Sequence, residues 1–243
     1  MGEANVGNPY SLGLVENCLI CKLRSEGFFC QLPAPTLQAF EKIKYPTSYP
    51  QGALLFVEGQ GPRGLFILCQ GRVKLSVRSR DGKSLILKIA EPGEILGLHA
   101  CVSGLPYDLT AQTIQPCQVN FARREDFLRF LREHGDACLQ AAQHLSETCH
   151  NAYDLIRSLG LSHSAGEKLA RFFLELAHDA EKGRQGLRIK LALTHEEIAQ
   201  IIGTSRETAT RLLLEFRRKK LASLQGSTLH IYDPAALEKL VGA

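Results

Sequence analysis

The sequence predicts an α+β protein that combines a small antiparallel β-roll, a long helix and a C-terminal winged helix-turn-helix. Three observations support this prediction: short apolar runs separated by glycines, a heptad repeat after Cys138, and two capped amphipathic helices joined at Gly203. The 243 residues are enough for two domains with separate cores. The predicted parts are a cysteine-containing segment 1–34, the β-roll 35–128, the long helix 129–160 and the helix-turn-helix domain 161–243.

The composition is that of an ordinary globular protein. Apolar residues make up 44% of the chain, and the formal net charge of +4 permits nucleic-acid binding without requiring it. No apolar run reaches the roughly 18 residues of a membrane span, and the N-terminal residues lack the features of a secretory signal. We therefore expect a cytoplasmic protein with no membrane partner. No nucleophile motif, phosphate-binding loop or zinc-protease pair occurs, so nothing indicates an enzyme.

Short apolar runs alternate with glycines between Pro50 and Phe121. The runs are Leu54 to Val57, Leu65 to Cys69, Val73 to Val77 and Leu85 to Ile89. Regular turns between short strands are typical of small antiparallel barrels and rolls. This part of the chain is therefore the predicted β-roll.

A seven-residue repeat of apolar and small residues begins in the predicted long helix. One heptad position holds Cys138, Leu145, Ala152 and Leu159, and the position four residues later holds Ala142, Cys149 and Ile156. This pattern is typical of a coiled-coil seam, so we expect these residues at the interface of a homodimer. Ala and Cys bury little area, and the alternative is an amphipathic helix that packs on its own domain.

Two further helices are predicted between Leu193 and Phe216. Thr194 has Glu197 three residues later, the spacing of a capping box that starts a helix. Gly203 allows the positive φ of a tight turn, and Ser205 is a favourable N-cap for the second helix. The buried face of that helix follows the spacing i, i+3, i+4, i+7 and consists of Ala209, Leu212, Leu213 and Phe216.

The polar side of this motif supplies the candidate residues for binding double-stranded DNA. They are Thr194, Ser205, Arg206, Glu207, Thr210 and Arg211. The last four lie in the first two turns of the second helix, where a recognition helix meets base edges in the major groove. Arg donates two bonds to guanine and Glu accepts one from cytosine, whereas a carboxylate near phosphates is unfavourable. The alternative is an ordinary solvated helix face.

The whole pattern resembles the Crp/Fnr family of bacterial transcription regulators. The resemblance rests on GALLFVEGQ, LFILCQGRVKLSV, DGKSLILKIAEPGEILG and, most specifically, GTSRETATRLL, and it covers the chain from about residue 18. It implies a cyclic-nucleotide-binding-like β-roll, a dimerisation helix, a winged helix and RNA polymerase as a partner. The recognition helices of such a dimer lie one DNA turn apart, about 34 Å, on a palindromic site.

The resemblance does not extend to cyclic-AMP binding. Family members that bind it use an acidic residue on the ribose and an Arg followed by Ser or Thr on the phosphate. Glu94 matches the first requirement, but Tyr107 and Asp108 stand where the second is expected, and residues 89–122 contain no Lys or Arg. The phosphate would lack a charge partner, so we expect no cyclic-AMP binding. A haem sensor would need an axial ligand such as His99.

The N-terminal cysteines point to a different signal. Cys18, Cys21 and Cys30, together with Cys117, resemble the ligands of the oxygen-sensing Fnr branch, although that branch has a shorter gap before its third cysteine. The resemblance implies a 4Fe-4S cluster. A zinc site, or thiols that oxidise to a disulfide, are the alternatives for these residues. The remaining cysteines are expected to act as small apolar residues, namely Cys69, Cys101, Cys138 and Cys149.

The recognition helix also indicates a DNA half-site. Cyclic-AMP-type members use Arg, Glu and Arg, whereas Fnr-type members have an apolar residue in place of the first Arg and Ser near the last. Arg206, Glu207 and Arg211 are closer to the first type, so we expect a TGTGA-like half-site rather than TTGAT. The resulting hypothesis is a homodimeric, redox- or oxygen-responsive regulator. A redox or metal-binding protein without specific DNA binding is the alternative from another class.

Overall fold

The computed structural model describes residues 17–25, 29–160, 164–178, 182–183, 186–191 and 193–241. Contacts divide the chain into two compact units. The first comprises Met1–Asp81 and Leu87–Tyr153, and the second comprises Gly82–Ile86 and Asp154–Ala243. No helix within the described ranges has both the length and the apolar content for a membrane crossing.

The N-terminal part of the chain is a β-roll with flanking helices. Short 3₁₀ turns at Cys18–Ile20, Lys22–Ser25 and Phe29–Gln31 precede helix α1, Ala34–Glu41. The strands of the roll are β1 Lys44–Tyr49, β2 Leu54–Phe56, β3 Gly64–Gln70, β4 Val73–Arg78, β5 Ser84–Ala90, β6 Ile95–Leu96, β7 Thr110–Thr113 and β8 Cys117–Arg123. Helix α2 is Leu98–Ser103, α3 is Arg124–Glu133 and α4 is Gly135–Gly160.

Two antiparallel sheets form the roll, with strand orders β1-β8-β3-β6 and β2-β7-β4-β5. Side chains alternate along a strand, so the first sheet contributes to two different cores. Phe66 and Leu68 pack between the sheets with Val119, whereas Leu65 and Ile67 pack against the helices. Strand β3 is buried on both faces for this reason. The predicted α+β class and β-roll are confirmed.

The long helix begins at Gly135 rather than at residue 129. His134 is extended, with φ −126° and ψ 93°, so residues 129–133 belong to α3. The physical reason is packing: α3 buries Phe127 and Phe130 in the core that also receives Ala137 and Ala141 of α4. The chain turns at His134 and both helices reach this core.

The C-terminal unit is a winged helix-turn-helix. Its helices are α5 Ala165–His178, α6 His195–Ile201, α7 Arg206–Arg218 and α8 Pro234–Val241. Strands β9 Lys182–Gly183, β10 Gly186–Lys190, β11 Ala222–Gln225 and β12 Thr228–Ile231 form a sheet of order β11-β12-β10-β9. On α7, Ala209, Leu213 and Phe216 are buried, and Phe216 meets Phe173 of α5 edge to face at 6.2 Å between ring centroids. The wing turns at Gly226, whose φ is 58°.

Candidate DNA-binding surface and thiol site

Side-chain caps fix the start of both helices of the helix-turn-helix. Thr194 Oγ1 accepts a hydrogen bond from the backbone N–H of Glu197 at 3.2 Å, and Glu197 Oε2 accepts one from the N–H of Thr194 at 3.0 Å. Ser205 Oγ accepts a bond from the N–H of Thr208 at 3.2 Å. Gly203 between the helices has a φ of 65°. The predicted capping box, turn and N-cap are confirmed.

The exposed side of α7 carries the predicted base-reading residues. Arg206, Glu207 and Arg211 are exposed, and Thr210 is half-buried with its Oγ1 3.1 Å from Nδ1 of His195. One open surface is lined by Arg206, Glu207, Thr210, Arg211, Leu214, Glu215 and Arg218. The last three of these residues are not among the six candidate DNA-binding residues predicted from the sequence. Their spacing of three, four and seven residues from Arg211 was the available signal, because such residues share a helix face.

Glu207 is held at the N-terminus of α7. Its own backbone N–H lowers the pKa of its carboxyl, and the Ser205 hydroxyl and the neighbouring Arg206 contribute in the same direction. A negative charge is favourable at this end of a helix dipole. Glu207 is therefore ionised at neutral pH and can accept a hydrogen bond from a base.

Cys18 lies in a polar pocket at the edge of the roll. Its sulfur accepts a hydrogen bond from Nζ of Lys44 at 3.2 Å, and its backbone N–H donates to Oε1 of Glu41 at 2.5 Å. Lys44 and Glu41 form an ion pair of 2.8 Å, and the Lys44 side chain is only 3% exposed. A buried cation beside a cysteine stabilises negative charge on its sulfur. The pocket therefore places a positive charge beside any group bound through the Cys18 sulfur.

Asn120 connects Cys18 to a cysteine that we expected to be structural. The Asn120 side chain donates from Nδ2 to the sulfur of Cys69 at 3.2 Å and to the sulfur of Cys18 at 3.7 Å. Cys69 also lies near Cys21 and Cys30, because negative charge on either of them raises the pKa of Cys69. The structure therefore brings Cys69 close to the N-terminal cysteines, which differs from the expected role of Cys69 as a small apolar residue.

Cys117 lies elsewhere, which differs from its predicted place beside the N-terminal cysteines. It is buried between the two sheets with Val119, and its sulfur lies 3.3 Å from the carbonyl oxygen of Arg72 and 3.2 Å from that of Gln115. A Cβ placed on Gly71 would come within 2.5 Å of the same sulfur. The cause is strand alternation, because Cys117 and Asn120 are three residues apart on β8 and face opposite sides of the sheet.

Burial is the main cause of the raised pKa values of Cys18, Cys30 and Cys69. Burial and the contact with Glu41 raise the pKa of Cys18 to about 12, although Lys44 opposes this. Burial and the neighbouring cysteines raise the pKa of Cys69 to about 12 and that of Cys30 to about 11. These thiols are neutral at pH 7 and are poor nucleophiles as they stand. Within the described residues, no group of three or more Cys, His, Asp or Glu side chains is arranged to hold a metal ion.

The residues in place of the expected phosphate-binding pair have other partners. Tyr107 is 5% exposed, and its hydroxyl donates to a backbone carbonyl at 2.6 Å. Asp108 Oδ2 lies 2.6 Å from Nδ1 of His99 at the surface, and Glu94 forms an ion pair with Lys88. The side chains of Tyr107 and Asp108 therefore bind other groups of the roll.

Helix α4 presents an exposed apolar stripe. Residues alternately three and four apart follow it: Leu139, Ala142, Ser146, Cys149, Tyr153 and Ile156. Leu139 and Tyr153 are each 61% exposed and Ile156 is 65% exposed. Leu145, in contrast, packs on the core of its own chain.

The stripe differs from the predicted seam at one of its two heptad positions. Ala142, Cys149 and Ile156 are common to both. At the other position, the stripe contains Leu139, Ser146 and Tyr153, each one residue after a predicted seam residue. The reason is that the face containing Leu145 is turned toward the core. Cys138 and Ala152 are exposed beside the stripe. The side chain of Leu159, the remaining predicted interface residue, lies outside the described ones.

The β-roll and the winged helix-turn-helix define a DNA-binding regulator with a sensor domain of the cyclic-nucleotide-binding type. Residues 46–134 match the model of the cyclic nucleotide-binding domain, and residues 167–240 match that of the Crp-like helix-turn-helix domain. The chain belongs to the Crp/Fnr family of transcription regulators.

Similar relatives extend over most of the chain. The CRP-like cAMP-activated global transcriptional regulator of Mycobacterium tuberculosis is 28% identical over 222 residues, which cover 89% of this chain and 97% of the relative. The global nitrogen regulator of Synechocystis sp. is 27% identical over 212 residues, covering 86% and 90%. FixK2 from Bradyrhizobium japonicum has the same fold, with a TM-score of 0.73, 20% identity and coverage of 83% and 98%.

Proposed function

We propose that this regulator binds a palindrome of TGTGA-like half-sites as a homodimer and responds to oxygen or redox state through its N-terminal thiols. One observation supports the sensing part most strongly. Cys18 and Cys30 pack against the same apolar core as Ala137 and Ala141 of α4. A change at the thiols therefore reaches the long helix by direct packing.

Aromatic side chains at the centre of this core link the thiol segment to the helices around it. Phe29, one residue before Cys30, lies 5.4 Å from the ring centroid of Phe40 and 5.9 Å from that of Phe127. Thr36 Oγ1 of α1 donates to Asp136 in the first turn of α4 at 2.5 Å. Movement of the segment that carries the thiols would disturb the support of the first turns of α4.

The dimer stripe on α4 is suited to such control. Three of its six members, Ala142, Ser146 and Cys149, are small, which limits the apolar area that the dimer buries. A coupling free energy of about 1–3 kcal/mol shifts an equilibrium roughly 5- to 150-fold. A modest change at the thiols is thus sufficient to alter the fraction of dimer, and with it the occupancy of a palindromic site.

Cys18, Cys21 and Cys30 supply the first three thiolates of the proposed site. When bound, a 4Fe-4S cluster supplies a redox- and oxygen-sensitive tie between such thiolates. Lys44 offsets the negative charge at Cys18 through its 3.2 Å contact, and Glu41 orients Lys44. These residues hold the thiol segment on the roll, adjacent to the core that α4 shares.

Metal analysis tests the sensor. The full chain would be purified without oxygen, and its iron, acid-labile sulfide, zinc and visible absorption would be measured before and after exposure to air. We expect iron and sulfide with visible absorption that fades in air. A colourless protein that contains zinc or no metal would contradict the iron-sulfur proposal.

Selection from random-sequence DNA tests the output. We expect the anaerobic protein to enrich a palindrome of TGTGA-like half-sites and the air-exposed protein to enrich it less. Enrichment in both states would support the DNA site and contradict redox control. Absence of any enriched palindrome would favour a redox or metal-binding protein without specific DNA binding.

A further inference from the structure

The fold gathers a different set of thiols from the one expected from the sequence. We infer that Cys69, and not Cys117, completes the thiol site formed by Cys18, Cys21 and Cys30. The identity of the group held there rests on the proposed function. The membership of Cys69 rests on contacts in the structure.

The first argument is the alternation of β3. Leu65 and Ile67 face the core that contains Phe29 and receives Cys30, whereas Phe66 and Leu68 face the core between the sheets. Cys69 follows the first series, and its contact with Asn120, which also meets Cys18, places its sulfur on that side of the sheet. The pairing of β3 with β8 becomes irregular between Leu68 and Gln70, so Cys69 sits where the ladder loosens.

The second argument is the opposite orientation of Cys117. Its face of β8 also carries Val119 and points into the core between the sheets. The carbonyls of Arg72 and Gln115 and the backbone of Gly71 surround its sulfur closely. To reach Cys18, β8 would have to slip by one residue, which would turn all its buried side chains to the wrong face.

The third argument is Asn120, a polar side chain aimed at the sulfurs. Asn120 is 2% exposed, and the described residues offer no hydrogen-bond partner to its Oδ1. Leaving a buried polar atom unsatisfied is unfavourable for folding. Its Nδ2 meets the sulfurs of both Cys18 and Cys69. An amide kept at this cost and directed at two thiols indicates a site whose sulfurs act together.

These contacts define the chemistry of the site and the role of its neighbours. Soft thiol ligands select zinc or iron-sulfur centres rather than magnesium or calcium. Asn120 is a positioning residue for Cys18 and Cys69, because it contacts both sulfurs. Lys44 adds a positive charge next to Cys18. Under the proposed function, the group held here is an iron-sulfur cluster.

A matched pair of variants tests the inference. Cys69→Ser and Cys117→Ser each replace one buried thiol by a hydroxyl within the roll. We expect Cys117→Ser to retain the iron and sulfide of the parent chain. In Cys69→Ser they should fall at least about tenfold, since even outer-shell changes at metal sites cost 10- to 100-fold.

The reverse pattern would overturn the inference. Thermal unfolding of the metal-free proteins controls for misfolding, and Cys69→Ala avoids a buried hydroxyl if the serine variant is unstable. If Cys69→Ala unfolds at the same temperature as the parent and still loses the metal, the inference is supported. Full metal content in that variant would contradict it.

Disulfide mapping provides a readout that needs no metal. The metal-free full chain would be oxidised with diamide. Two thiols transfer two electrons and two protons to the N=N bond of the reagent, which becomes a hydrazine, and one S–S bond forms. We expect peptide mapping to find Cys69 joined to Cys18, Cys21 or Cys30.

The mapping also separates the inference from the proposed function. A link from Cys69 to an N-terminal cysteine, in a chain that binds no iron, would support the thiol site and reject the cluster. Absence of any such link would overturn the inference, whatever the metal content.

Discussion

A substitution of Arg206 tests whether the protein reads a specific DNA sequence or only binds DNA through its charge. Arg206 is exposed at the start of α7, beside Glu207 and Arg211. We expect Arg206→Val to weaken binding to a TGTGA-like palindrome by about 1–3 kcal/mol, roughly 5- to 150-fold, because a bidentate contact to guanine is lost. Titration against DNA with each base at that position would also show a relaxed preference there.

Arg132→Val is the control for this substitution. Arg132 is exposed on α3, far along the chain from the helix-turn-helix, and the change removes the same unit of charge. It should leave the affinity close to that of the parent. If Arg206→Val and the parent bound TGTGA-like and TTGAT sites alike, the assignment of Arg206 would be wrong.

The residues that could be assigned from the sequence are those whose roles are local. Thr194 and Ser205 cap helices through contacts three residues away, so spacing alone identifies them. The role of Cys69 depends on its proximity to Cys18 and Asn120, which each lie 51 residues away along the sequence, in opposite directions. These residues come together only when folding aligns β3 and β8. Alternation from Leu65 places Cys69 on a face, but it does not show which face the N-terminal cysteines cover.

At the scale of elements, the stripe on α4 gives a sharp test of the dimer. Tyr153 belongs to the stripe seen in the structure and not to the predicted seam. We expect Tyr153→Glu to raise the dimer dissociation constant at least about tenfold, equivalent to 1.4 kcal/mol, because two carboxylates enter an apolar interface. Sedimentation equilibrium over a concentration series measures this directly.

Asn151→Glu is the matched control on the same helix. Asn151 is exposed two residues away, on the side of α4 opposite to Ala142 and Cys149. Its substitution adds the same charge and should leave self-association nearly unchanged. Equal weakening by both variants would mean that charge, rather than burial of the stripe, controls the dimer.

Helices and strands can be predicted from the sequence where apolar residues repeat regularly and a turn residue marks the end of the repeat. The strands of the roll end near glycines with positive φ, such as Gly71 and Gly93, so their limits are visible in the sequence. The start of α4 was not, because His134 turns only to bring α3 and α4 onto one core. The heptad is ambiguous because two sets of residues flank Ala142, Cys149 and Ile156, and only the packing of Leu145 on its own core favours the second set.

At the scale of the whole molecule, a symmetric dimer restricts the spacing of its DNA sites. Two recognition helices related by a twofold axis fit half-sites about one helical turn apart, 10–10.5 base pairs. We expect insertion of five base pairs between the half-sites to reduce affinity to that of a single half-site, since the second site then lies on the opposite side of the duplex. Gel-shift titration with one-half-site DNA as control measures the difference, and unchanged affinity would contradict a rigid symmetric dimer.

The core that Phe29 shares with Ala137 and Ala141 also has a thermodynamic consequence. Coupling between two binding events is reciprocal, so a thiol segment that favours the dimer is itself favoured by the dimer. Operator DNA, by holding two copies together, should therefore protect the thiol segment from opening. Under the proposed function, a regulator bound at its site would then respond to a change in redox state more slowly than the free protein.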